Sequence, residues 1–355
     1  YNFTVVCGMT NFGLKEKIMT NKTLAPTISS HQKMMATVVF LAIVCCAALW
    51  LGGLFPLLGG PVLAILTGAS LAPLALKSGI VPYCQKVSKY ALLGSVVMLG
   101  LGMNISQVVS IGGSSIGFMV TTVTFALLAS WFFSRLLRLH GNTATLVGAG
   151  TCICGGSAIA AMSGIIHAKE EETAQALSTI FLFNIIAAVL FPLLGHLMGV
   201  ESRVFGLWAG TAINDTSSVL AAAFSYGGES GDVGTVVKMA RTLMIFPLGI
   251  VIALRQRFYG QQAGSWKRTL PLPAIGFALA IGIRVVVGDS GAPLWEWATT
   301  AGKWLMVLAL AAIGLITHLG HIWHNGRRAL AVGALTWAAL SLFSLSLIHL
   351  FELGA

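Results

Sequence analysis

Long apolar runs recur along the whole chain and constrain its fold more than any other feature. A helix that crosses a bilayer needs about 20 mostly apolar residues. The sequence contains eleven such segments, at 34–54, 57–76, 90–103, 116–134, 143–166, 174–195, 204–226, 233–254, 271–288, 303–320 and 329–351. Because a backbone in lipid must satisfy its own hydrogen bonds, the pattern predicts an all-α polytopic membrane protein with about eleven transmembrane helices.

The charge content supports a membrane protein over a soluble one. Only 9% of the residues are charged and 56% are hydrophobic, whereas soluble domains carry about 25% charged residues. The stretches between apolar segments are too short for a second, soluble domain. We therefore expect a cytoplasmic N-terminal segment, residues 1–33, which lacks the apolar core of a signal peptide, and one transmembrane domain, residues 34–351.

The basic residues predict the orientation. With eleven spans, 16 of the 21 Lys and Arg residues fall on the side of the N-terminus, and only Lys169 and Lys303 fall on the other. The positive-inside bias then places the N-terminus in the cytoplasm and the C-terminus in the periplasm. Since the basic residues lie between apolar runs rather than in an aromatic-rich patch, the net charge of +10 indicates a lipid partner and no nucleic acid.

Sequence signals for cofactors or metals are weak. The six cysteines form no disulfide framework. His318, His321 and His324 follow an H-x-x-H-x-x-H spacing, but a spacing of three spreads the rings around a helix, so we interpret them as interfacial histidines. No H-E-x-x-H, phosphate-binding or dinucleotide motif is present. We expect no metal and no cofactor beyond a coupling Na⁺.

Two apolar segments differ from ordinary spans. The fifth contains the run 148–157 (GAGTCICGGS) and the seventh contains 210–218 (GTAINDTSS), which place glycines and small polar residues near the middle. Such stretches unwind at little steric cost, and the half-helices of discontinuous membrane helices bind ions and anions at their bare ends. Tight helix packing through small residues is the alternative.

Asp215 is the only acidic residue well inside an apolar segment. An ionised carboxylate there costs about 2.5–3.5 kcal/mol, so it requires a partner, a proton or a cation. The oxygens of Asn214, Thr216 and Ser217 would suit Na⁺, which makes Asp215, Asn214 and Thr216 the predicted ion-coupling residues. A structural, hydrogen-bonded acid is the alternative.

Lys238 and Arg241 lie one turn apart in the eighth segment, on one face of the predicted helix. They could neutralise the charge of Asp215 or hold an anionic substrate. A buried ion pair without a substrate, or side chains that snorkel towards an interface, are the alternatives. The predicted substrate-binding set is Thr151, Cys154, Gly155, Gly156, Ser157, Thr211, Asn214, Ser217, Lys238 and Arg241.

Four motifs carry a resemblance to a known family. The runs 148–156 (GAGTCICGG), 210–215 (GTAIND), 237–244 (VKMARTLM) and 313–318 (IGLITH) resemble the YeiH-type sulfate exporter family in their order and spacing. The resemblance extends from about residue 34 to 351. Family members often have a His-Glu pair where this chain has Asn214 and Asp215, so the acid is retained but is one methylene shorter.

The resemblance implies a bacterial inner-membrane transporter of a small anion such as sulfate, sulfite or a sulfonate. It also implies kinship with bile-acid symporters and cation/proton antiporters, and hence inverted repeats with broken, crossing helices. One local observation agrees, because residues 99–104 loosely resemble residues 312–317 in spans that run in opposite directions.

We therefore predict a secondary transporter, not an enzyme, that works by alternating access and couples to Na⁺ or H⁺. A Na⁺-coupled organic-acid symporter, a Na⁺/H⁺ antiporter, a channel, and an intramembrane enzyme with Cys152 or Cys154 as nucleophile are the alternatives. The expected partners are a small anionic substrate and the lipid bilayer, and a homodimer is left open.

Overall fold

The described part of the chain is helical from end to end. A computed structural model describes residues 30–55, 59–103, 105–258, 272–288, 292–316 and 326–351, and these contain no strand. The helices are α1 Ser30–Leu54, α2 Gly59–Ser78, α3 Val81–Gly102, α4 Ile105–Leu136, α5 Asn142–Cys152, α6 Gly156–Ile165, α7 Glu170–Met198, α8 Ser202–Ala212, α9 Thr216–Tyr226, α10 Ser230–Leu243, α11 Ile245–Phe258, α12 Leu272–Val287, α13 Ala292–Ile316 and α14 Arg327–Leu350.

Seven helical stretches in the described residues are long and apolar enough to cross a membrane, judged by length and composition. They are Thr37–Leu54, Gly59–Ser78, Ile116–Leu136, Glu170–Met198, Ser230–Ile252, Pro293–Ile316 and Arg327–Leu350. The predicted all-helical membrane class is confirmed, but the predicted count of about eleven spans is not. The fifth and seventh predicted segments each divide into two helices that are too short to span alone, α5 with α6 and α8 with α9.

Two apolar cores hold the helices together. The first is built mainly from α1, α2, α3, α8, α9, α10 and α13. The second is built mainly from α5, α6 and α14. Helix α7 contributes to both, since Phe191 is buried in the first core and Ile180 in the second. The two divided segments therefore belong to different cores, and α7 connects them.

Glycines allow α2 and α13 to approach closely. A Cβ atom on Gly68 would lie 2.4 Å from the carbonyl oxygen of Ala311, and one on Gly314 would lie 2.3 Å from that of Ile65. No larger residue fits at either position, so these glycines serve the tight helix packing that small residues permit in membranes.

Some sequence predictions fall outside the described residues. These are His318, His321 and His324, and all but the last few residues of the predicted N-terminal segment 1–33. The cytoplasmic placement of the N-terminus stays a prediction.

Candidate functional site

The first interruption separates α5 from α6. Helix α5 ends at Cys152, Ile153 leaves the helical conformation, and α6 begins at Gly156. Gly155 between them has φ +64° and ψ −124°, a backbone conformation that is essentially restricted to glycine. Glycine at position 155 is therefore required for the chain to leave one helix and start the next within three residues.

We expect Gly155→Ala to destabilise the protein by about 1–3 kcal/mol, because an L-residue is strained in this conformation. The added methyl group would also lie 3.3 Å from Ile180 Cγ2 and 3.4 Å from Asp215 Cβ. Thermal unfolding of the detergent-purified variant measures the loss. Gly164→Ala, in the same helix pair but with nothing within 4 Å of the added methyl, is the matched control and should not destabilise.

The second interruption separates α8 from α9. Helix α8 ends at Ala212, Ile213 is extended, and α9 begins at Thr216 with Asp215 as its N-cap. The Asp215 carboxylate accepts a hydrogen bond from the Ser217 N–H through Oδ2 at 2.9 Å and another from the Ser217 hydroxyl. An anionic cap of this kind complements the positive end of the helix dipole.

Lys238 joins the two interruptions. Its Nζ donates to the carbonyl oxygen of Ile153 at 2.9 Å and to that of Ile213 at 2.9 Å, and the side chain is fully buried. Both carbonyl groups lie just past the last helical residue of α5 or α8, where helices carry unsatisfied acceptors and negative partial charge. One ammonium group thus holds the ends of two half-helices from different cores together.

Arg241, one turn further along α10, supports the first interruption. Its Nε and Nη2 both donate to the carbonyl oxygen of Cys152, at 2.9 and 2.6 Å, and the guanidinium is fully buried. The sequence suggested Asp215 as the counterion of Arg241 and Lys238. Among the described residues neither cation forms an ion pair with Asp215; backbone carbonyl groups take that place.

The predicted site residues divide by accessibility. Gly156, Asp215 and Thr216 are half-buried and Ser157 is exposed, so these four residues have surface outside the packed interior. Eight others, Thr151, Cys154, Gly155, Thr211, Asn214, Ser217, Lys238 and Arg241, are buried. Several of the buried side chains bond to backbone carbonyl groups at or near the two interruptions.

Three hydroxyl groups of the predicted site bond locally. Thr151 donates to Val147 O at 2.8 Å and Thr211 donates to Leu207 O at 2.8 Å, so each bonds back to its own helix. The Ser157 hydroxyl lies 2.8 Å from Cys154 Sγ. Two threonines of the predicted substrate set are therefore already satisfied within their helices.

Asn184, in the middle of α7, belongs to the site but was not predicted. It is 3% exposed, and its Nδ2 lies 3.5 Å from the position of a Cβ on Gly155. Neither Nδ2 nor Oδ1 has a hydrogen-bond partner. The signal in the sequence is an asparagine at the centre of the run 174–195, which otherwise has the composition of an ordinary span.

Cysteines and metal ligands add little to the site. Cys45, Cys46, Cys84, Cys152 and Cys154 are free thiols. Within the residues that the structure describes, no three His, Cys, Asp or Glu side chains are grouped closely enough to hold a metal ion.

The fold and the site together define a multi-pass α-helical membrane protein built around two interrupted helices that meet at a buried lysine. Within that class, the family model described as Conserved hypothetical protein 698 matches residues 36–333. The chain belongs to this family, the UPF0324 membrane proteins.

Curated relatives match over nearly their whole length. A UPF0324 membrane protein of Streptococcus pyogenes is 38% identical over 336 residues, which cover 90% of this chain and 98% of the relative. One from Streptococcus mutans is 38% identical over 334 residues, 89% and 97% of the two chains. One from Streptococcus agalactiae is 38% identical over 312 residues, 84% and 92%. No solved structure matches the chain.

Proposed function

We propose that this protein is a secondary transporter that moves a small oxyanion of the sulfate, sulfite or sulfonate type across the bacterial inner membrane by alternating access. The meeting of two interrupted helices at Lys238 supports this function. Irregular backbone at membrane depth is tolerated where it is buried in protein or lines a wet cavity, and transporters build their substrate sites from such half-helices.

The α6 N-terminus is the proposed anion subsite. Gly155 caps this helix and has no side chain that could accept from the first N–H groups, whereas Asp215 fills the same place on α9. The exposed hydroxyl of Ser157 adds a polar group at the α6 end. Two buried cations beside one carboxylate leave positive charge in excess, which favours an anion.

The two cores supply the parts that would move during alternating access. The α5–α6 pair packs mainly in one core and the α8–α9 pair in the other. A displacement of one core relative to the other changes which side of the site is open. Lys238 is the pivot, because it donates to the carbonyl groups at both helix ends. Asp215 carries the coupling Na⁺ or proton.

The resemblance to YeiH-type sulfate exporters supports the substrate class. A thermal-shift panel on the detergent-purified protein tests it, with sulfate, sulfite, thiosulfate, taurine and small carboxylates, each in Na⁺, in K⁺ and at several pH values. A ligand that binds only the folded state stabilises it by about 2.7 kcal/mol at 100 times its dissociation constant. Stabilisation by one oxyanion, modulated by Na⁺ or pH, is expected.

A Na⁺/H⁺ antiporter is the second candidate, and one observation favours it. Asn214 Oδ1 is buried without a donor beside Asp215, and paired oxygens of this kind suit a small cation. If Na⁺ or pH stabilises the protein while none of the anions does, the antiporter replaces the anion transporter. A Na⁺-coupled organic-acid symporter would instead be stabilised by a carboxylate together with Na⁺.

A further inference from the structure

Asn184 presents a buried amide with nothing bound at either end. Polar atoms this deeply buried are almost always hydrogen-bonded, and each exception calls for an explanation. Both Asn184 Nδ2 and Asn184 Oδ1 are exceptions. The residue sits on α7, which packs against α5, α6 and α9, so Asn184 lies among the helices that carry both interruptions.

Unpaired donors lie near Asn184. The first N–H groups of a helix have no partner within the helix, and in the described part of the chain no acceptor bonds to the N–H of Gly156 or Ser157. Asn184 Nδ2 is 3.5 Å from the Cβ position of the Gly155 cap. An oxyanion placed there would accept from two backbone N–H groups and one amide N–H.

Unpaired acceptors lie near the same glycine. Asp215 uses Oδ2 for Ser217, and its Oδ1 receives no hydrogen bond from any described residue. Asn214 Oδ1 is also unpaired. The Cβ atom of Asp215 is 3.4 Å from the same Gly155 position, so the acceptor group adjoins the donor group.

From this arrangement we propose that the site binds a charge pair, an oxyanion at the α6 N-terminus and a positive group at Asp215 and Asn214, with Asn184 contacting both. The inference rests on the proposed function and specifies its ligand. An oxyanion alone would leave three acceptors without a partner, namely Asp215 Oδ1, Asn214 Oδ1 and Asn184 Oδ1, whereas a cation alone would leave the donors without a partner. Because one amide serves both subsites, binding of either charge strengthens binding of the other.

The positive group can come from two sources, and matched ligands distinguish them. Taurine and ethanesulfonate share a sulfonate on a two-carbon chain, but only taurine carries an ammonium group. Titration calorimetry of the purified protein measures each ligand in Na⁺ and in the bulky cation N-methylglucamine. If ethanesulfonate binds at least about tenfold more tightly in Na⁺ than in N-methylglucamine, the pair consists of two separate ions. If taurine binds tightly without Na⁺ and ethanesulfonate does not, the substrate is a zwitterion.

Asn184→Leu tests the bridging role, because leucine fills a similar volume without polar atoms. The unliganded variant should melt at a higher temperature than the wild type, since two unsatisfied buried atoms are removed. It should also lose the dependence of anion affinity on the positive group. Thr179→Val, on the same helix with its hydroxyl bonded to Gln175 O at 2.9 Å, is the control and should keep that dependence.

Two results would overturn the charge-pair inference alone: equal binding of both sulfonates with and without Na⁺, or an Asn184→Leu variant that binds and discriminates like the wild type. The second result would mean that Asn184 is only a structural residue. Failure of every oxyanion in the panel to bind the wild type would instead remove the proposed function, and the charge pair with it.

Discussion

Replacing Lys238 by methionine is expected to abolish transport and to lower the free energy of unfolding by about 2–6 kcal/mol. Methionine keeps the length of the side chain but cannot donate. The carbonyl oxygens of Ile153 and Ile213 each accept a hydrogen bond from the lysine at 2.9 Å. In the variant both would be buried without a donor. Each such group costs about 1–3 kcal/mol, and the two half-helix ends would no longer be joined.

Thermal unfolding and substrate flux in proteoliposomes measure the two effects of Lys238→Met together. Lys77→Met is the matched control, because Lys77 is an exposed lysine in the last turn of α2 and its loss should leave both quantities nearly unchanged. Wild-type stability and flux in Lys238→Met would mean that the lysine does not hold the interruptions together.

Replacing Asp215 by asparagine is expected to remove the dependence of transport on the coupling cation while the fold persists. Asparagine caps helices as well as aspartate does, so the bond from the Ser217 N–H, 2.9 Å in the wild type, can be retained. Only the negative charge is lost. Coupled flux should fall by about tenfold or more, which corresponds to about 1.4 kcal/mol of lost cation binding.

The alanine variant separates charge from capping. Asp215→Ala removes both, and it should lower stability by about 1 kcal/mol beyond Asp215→Asn, because α9 loses its N-cap. Flux in the presence and absence of Na⁺, and across a pH gradient, gives the coupling of each variant. Unchanged cation-coupled flux in Asp215→Asn would remove Asp215 from the mechanism and leave it a structural cap.

The sequence predicted the helical membrane class and the places where two helices are interrupted, because both depend on local information. Gly155 and Gly156 mark the first interruption and the polar run from Asn214 marks the second. The number of spans was harder to predict. Hydropathy counts 143–166 and 204–226 as single apolar segments, whereas the backbone forms pairs of short helices there.

The contacts of Lys238, Arg241 and Asn184 could not be predicted from the sequence. A buried cation is expected to find an acid, and Asp215 was the obvious candidate. Once both helices are interrupted, however, the carbonyl groups at their ends lack partners within the helices, and the two cations donate to these carbonyl groups instead of to Asp215. Asn184 gains its significance only from its position beside Gly155, a contact between helices that are separate in sequence.

Counterflow in proteoliposomes distinguishes a transporter that works by alternating access from a channel. Vesicles that contain the purified protein are loaded with unlabelled sulfate, sulfite or taurine and diluted into a trace of the same labelled solute, with protein-free vesicles and Lys238→Met vesicles alongside. If the protein works by alternating access, label should accumulate transiently and saturably for at least one of these solutes, in wild-type vesicles only. Flux that never saturates and shows no counterflow, or no flux of any oxyanion in protein that binds Na⁺, would contradict it.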